Sequence, residues 1–106
     1  MPTRSHREQK LKRLQNPGRA ESYLKVSFDE ALKDENYSAF FLALRDVIEA
    51  RALNKTDIAQ KANLTRQHFH FLLSGEGNPT FSSVIAIIKV LGFSFLLIES
   101  DEKAAA

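Results

Sequence analysis

The segment NKTDIAQKANLTRQHFHFLLS, residues 54–74, constrains the fold more than any other part of the chain. It reads as two short helices joined by a tight turn, because small, turning and apolar residues fall where such a unit needs them. Ala59 stands where the helices cross, and only a small side chain there lets two backbones approach. Asn63 stands at the turn, where the chain must bend sharply at positive φ, a conformation that Gly adopts freely and Asn tolerates. Ile58, Leu64, Phe69 and Leu72 face inward and lock the second helix on the first. The opposite face of the second helix is left free, as it is in helices that enter a DNA major groove.

The flanks extend this pattern. Phe40, Phe41, Leu44, Val47 and Ile48 recur at spacings of three and four and predict an amphipathic helix from Tyr37 to about Arg51. Asn54 is placed to cap the next helix, with Asp57 near its positive end, and Thr65 to cap the one after it. GEGNP, residues 75–79, is expected to be a loop between helices rather than a phosphate cradle. Thr80 opens a last helix carried by Val84, Ile85, Ile87, Ile88 and Leu91, and Gly92 closes it. Upstream, Ser27 with Glu30 reads as a capping box for a short helix to about Lys33, and Asp34 to Asn36 as the start of its successor. Phe93 to Ser100, FSFLLIES, is β-prone and predicts a short strand, which would pair with a second copy or with another protein's sheet edge.

Charge divides the chain unevenly. Residues 1–19 hold six basic side chains against Glu8, a net of +5, whereas the remainder holds nine basic against twelve acidic, a net of −3. The first segment, SHREQKLKRLQ, has only Leu11 and Leu14 as apolar points and reads as helical only on binding, while Arg19 to Val26 read as a link, so that residues 1–26 form a basic arm and linker. Asn16, Pro17 and Gly18 are expected to break it. A domain at 27–100 and a tail at 101–106 complete the division. The basic arm suits either a polyanion or an acidic partner, and equally a solubilising terminus.

At 106 residues, one domain with a small core is expected, and dimerisation would add burial. The Phe residues at 28, 40, 41, 69, 81, 93 and 95 are expected mostly in that core, with Phe71 the exception. No Cys is present, which excludes disulfides and thiolate metal sites. No apolar run approaches the ~20 residues of a membrane span, and the basic start is not followed by a secretory apolar segment. A cytoplasmic protein is expected. His68 and His70 lie two apart and point to different sides of a helix, so neither a metal site nor another cofactor is expected. No nucleophile, base and orienting acid can be assembled, and no enzyme activity is expected.

The helix before residues 54–74, the GEGNP loop and the VIAIIKVLG helix together resemble the Xre/Cro/lambda-repressor class of helix-turn-helix domains. More narrowly, Phe41 to Leu44, Ile58 with Ala59, Leu64 to Arg66, Leu73 to Gly77 with Asn78 and Pro79, and Leu91 with Gly92 are similar to the small HigA-type antitoxins, the addiction-module antidote proteins. The resemblance implies an all-α, lambda-repressor-like bundle of four to five helices, here with a short C-terminal β-strand. It also implies a dimer that represses its own operon through a double-stranded DNA operator and neutralises a RelE-like toxin. The chain departs from the family's usual pattern at three places: Lys55 stands where a Gln often touches phosphate, Asn63 replaces Gly, and His70 with Phe71 replaces Tyr and a basic residue.

On this reading Lys55, Thr65, Arg66, Gln67, His70 and Ser74 are the candidate DNA-binding residues. Arg66 can grip a guanine edge or a phosphate, Gln67 can bond adenine through two hydrogen bonds, and Lys55 suits a flanking phosphate. A plain transcriptional regulator without a toxin, and a protein-interaction module that uses the two helices as a scaffold, remain open.

Overall fold

The computed structural model describes residues 3–76 and 78–96, with side chains from His6 onward. These residues form six helices: α1 (Thr3–Leu14), α2 (Pro17–Asp34), α3 (Ser38–Ala50), α4 (Lys55–Lys61), α5 (Arg66–Leu73) and α6 (Phe81–Val90). Helix α3 lies at the centre and packs on α1, α2 and α5, while α4 packs on α5 and α6. Its sequence explains the position: Phe40, Phe41, Ala43, Leu44, Val47, Ile48 and Ala50 are all buried, so apolar side chains cover most of its circumference and neighbours must cover them. Leu44, Val47 and Ile48, together with Phe69 and Leu72 of α5 and Ile87 of α6, are the largest fully buried side chains.

The region before α3 differs from the sequence expectation. The expected break falls at residues 15–16, between α1 and α2, and Asn16 with Pro17 then starts a new helix where a linking stretch was expected. The Asn16 side chain accepts a hydrogen bond from the Arg19 backbone N–H at 3.2 Å, and Pro17 occupies the first helical position, where its missing N–H costs nothing. Helix α2 then runs unbroken through residues 19–26 and through Ser27 and Glu30, so these two form no capping box. It ends at Glu35, whose φ of 54° is left-handed, and not with a new helix at Asp34 to Asn36.

The segment read as helical only on binding forms α1, which is docked within the chain itself. Arg7, Lys10, Leu11 and Leu14 recur at helical spacing on one face, and the two cationic residues reach Asp46 of α3. Lys10 Nζ lies 3.0 Å from Asp46 Oδ2, and both terminal nitrogens of Arg7 lie 3.3 Å from Oδ1. The long stems of such residues bury their methylenes and deliver the charge at the tip, which is why two Leu suffice. The bundle thus has six helices among the described residues, not four to five.

The expected C-terminal strand is absent from residues 93–96, which are irregular, and residues 97–100 lie outside the described part. Without a neighbouring strand, a β-prone run has no ladder to satisfy its backbone. Phe93 packs on the core, and the Arg51 guanidinium sits 5.0 Å from its ring centre. Phe95 meets Phe28 edge to face at 5.1 Å. Phe81, expected in the core, is instead 74% exposed at the start of α6. No helix among the described residues is long and apolar enough to cross a membrane.

Candidate nucleic-acid interface

Helices α4 and α5 are each opened by a side chain that accepts a hydrogen bond from a free backbone N–H. Asn54 accepts from Asp57 at 3.1 Å and Thr65 from His68 at 3.0 Å. Between them the chain turns at Asn63, whose φ is 61°, and the Leu64 N–H closes the turn on the Ala59 carbonyl at 2.8 Å. Ala59 and Ala62 are buried, which lets the two helices come close. Phe69, Leu72 and Leu73 then bury one face of α5.

A second constraint fixes the far end of α5. The Ser38 hydroxyl at the start of α3 donates to the Gly75 carbonyl at 2.6 Å. Gly75 has φ 82°, and a Cβ there would lie 3.3 Å from the Ser38 Cβ, so Gly meets both the conformational and the steric demand. Helix α5 is therefore held at its N-terminal cap, along its buried face and just past its C-terminus.

Its other face carries the predicted residues. Thr65, Arg66, Gln67, His70 and Ser74 are all exposed, as is Phe71 at 54%. No acidic residue occurs on α5. The Ser74 hydroxyl donates back to the Phe71 carbonyl at 2.6 Å, which leaves its oxygen lone pairs, one of them engaged by the Glu76 N–H at 3.3 Å. Thr65 is exposed, but its hydroxyl oxygen is occupied as the cap. His68 and His70 are exposed on different sides of α5, and no group of three metal-ligating side chains occurs among the described residues.

Lys55, His70 and Ser74 line one cleft of about 270 Å³ together with Arg45, Glu49 and Leu73. Arg45 and Glu49, on the outer side of α3, were missed by sequence reasoning, since nothing in the spacing shows which turn of α3 faces the start of α4. Glu49 draws in three cations. Its Oε1 lies 3.8 Å from Lys55 Nζ and 4.0 Å from Arg45 Nε, and its Oε2 accepts from Arg7. The hydrogen bond to Glu49, together with the nearby Asp46 charge, raises the Arg7 pKa above its ordinary value against the lowering effect of burial. Lys55 is thus partly engaged within the protein and not a free point charge.

Sequence comparisons bear on the whole of this arrangement. A family described as "probable addiction module antidote protein" matches residues 11–99, from within α1 to beyond α6. An uncharacterized protein of Haemophilus influenzae (strain Rd) is 35% identical over 81 residues, which cover 76% of this chain and 81% of that protein. No solved structure matches significantly. A match that takes in the last turn of α1 and all of α2 to α6 covers the exposed face of α5 but not Arg7 or Lys10, and the chain belongs to the probable addiction module antidote protein family.

Proposed function

We propose that this protein is the antitoxin of a toxin–antitoxin module and a sequence-specific repressor of its own operon, without enzyme activity. The observation that carries the DNA-binding part is the outer face of α5. Arg66, Gln67 and His70 project from a helix locked at both ends, next to a capped helix across a tight turn. That is the arrangement a helix-turn-helix uses to present side chains to base edges in a major groove. With α3 before it and α6 behind it, the order supports a lambda-repressor-like domain of the Xre class and the HigA-type reading.

In this role Arg66 and Gln67 contact base edges, His70 a base or phosphate, and Lys55, Thr65 and Ser74 the flanking backbone. One α5 supplies few contacts, so useful affinity requires a homodimer with half-sites ~34 Å apart. The antitoxin part rests on family membership: an antidote protein implies a toxin, and the HigA-type resemblance implies a RelE-like one. Binding DNA and toxin together places the protein in the cytoplasm.

The test is fluorescence anisotropy of the purified chain with duplex DNA from upstream of its own gene and a scrambled duplex, across a salt series. The expected result is a preference of roughly a thousandfold for the upstream duplex with a steep salt slope. Equal, weak binding to both overturns the repressor. Growth rescue on co-expression with the adjacent reading frame tests the antitoxin separately. A neighbour that is harmless alone, or toxic and not neutralised, leaves a plain regulator.

A further inference from the structure

Helix α5 exposes one side chain that phosphate contact does not explain. At about 100° per residue, Gln67, Phe71 and Ser74 fall within a stripe of about 60° on the side away from Phe69, Leu72 and Leu73. Phe71 lies at 54% exposure within that stripe, one turn after Gln67. No aromatic ring stacks on it among the described residues. It lies at the end of the helix opposite the Thr65 cap, so it does not support the α4–α5 turn.

We propose that Phe71 is a specificity-determining residue that packs its ring on the 5-methyl group of a thymine in the major groove. The inference rests on the DNA-binding reading above and deepens it. Apolar contact with this methyl is the one part of the major-groove code that hydrogen-bonding side chains cannot read, and Phe can supply it. The neighbours decide between DNA and an apolar protein groove. Arg66, Gln67 and His70 share the exposed surface of α5, and burial against an apolar partner would strip all three of water without giving them partners. A major groove offers base-edge acceptors and phosphates to those three and a methyl group to Phe71. Gln67 on an adenine then places Phe71 about one helical turn, ~5 Å, further along the groove.

The experiment uses the full-length protein and the duplex from upstream of its gene. Thymines are replaced one at a time by deoxyuridine, which removes the methyl group and leaves base pairing intact. At one or two positions per half-site, uridine is expected to weaken binding about fourfold, the effect of one buried methyl group. Phe71→Ala, a substitution at an exposed position, is expected to bind the thymine and uridine duplexes equally, and Phe71→Leu to keep part of the difference. If the duplex binds specifically but no uridine substitution weakens wild type, the proposal is overturned while the DNA-binding reading stands. Equal sensitivity to uridine in wild type and Phe71→Ala also overturns it. If no specific DNA binding occurs and Phe71→Ala instead loses toxin neutralisation, both readings fail and Phe71 belongs to a protein interface.

Discussion

The hydroxyl of Tyr23 on α2 donates a 2.8 Å hydrogen bond to Oδ2 of Asp46 on α3. The same oxygen faces Lys10 Nζ of α1, which also lies 5.2 Å from the centre of the Tyr23 ring. One carboxylate, 5% exposed, therefore joins three helices. Tyr23→Phe removes a single donor from this junction, and the other partners of Asp46 remain. Urea unfolding is expected to show a loss of about 1 kcal/mol with an unchanged slope.

Burial by itself would raise the pKa of Asp46. Hydrogen bonds from Tyr23 and Lys10, and the charges of Lys10 and Arg7, outweigh burial and hold the pKa below the ordinary carboxylate value. A pKa lower in the folded than in the unfolded chain stabilises above the unfolded value of about 3.9, and the contribution disappears as pH falls through the folded value. Asp46→Asn is expected to destabilise by about 2 kcal/mol at pH 7 and to flatten the acid limb of a stability profile. A profile parallel to wild type below pH 5 would show that Asp46 does not carry it.

Asn63 holds φ at 61°. An Ala there must adopt the same left-handed conformation without the local hydrogen bonding that helps Asn. Asn63→Ala is expected to cost about 1 kcal/mol, and Asn63→Gly to stay within about 0.5 kcal/mol of wild type. Thermal melts of the two variants check the pair.

Glu49 sits among Arg7, Arg45 and Lys55, next to the face of α5 assigned to DNA. Replacing it with Gln frees positive charge for phosphate. Glu49→Gln is expected to tighten operator binding about two- to fivefold at low salt and to steepen the salt slope. Weaker binding in this variant would mean that Glu49 positions Lys55 rather than competing for it.

Arg66 is exposed at the start of α5 and contributes nothing to the core. Arg66→Ala is expected to leave the melting temperature unchanged and to cost ~1–3 kcal/mol in operator binding, with relaxed preference at one base pair. Anisotropy against a set of single-base operator variants measures both.

Much of this was legible from residues. Asn54, Thr65 and Thr80 cap the helices they were expected to cap, and Asn63 turns the chain as its type allows. The apolar spacing in α3 marked Phe40, Phe41, Leu44, Val47 and Ile48, all of which are buried. The ends of α2 and α3 fall within a residue or two of the expected Lys33 and Arg51, although the left-handed residues that follow them, Glu35 and Ala52, are not Gly; it was the start of α2 that was harder to read. Ser27 and Glu30 match a capping box in sequence, yet the cap at Asn16 had already begun the helix that contains them.

The local code, caps, small residues and apolar period, determined the helices from α3 to α6 and which side of α5 stays outside, because each of these depends on residues within a turn or two. Only the tertiary structure decided that α1 is part of the bundle, that Asp46 gathers Arg7, Lys10 and Tyr23, and that Glu49 stands between three cations. The contacts that Arg7, Lys10 and Tyr23 make with α3 join residues 23 to 42 positions apart. Charge alone does not say which carboxylate a cation will meet; the packing of α1 and α2 on α3 brings the partners within reach.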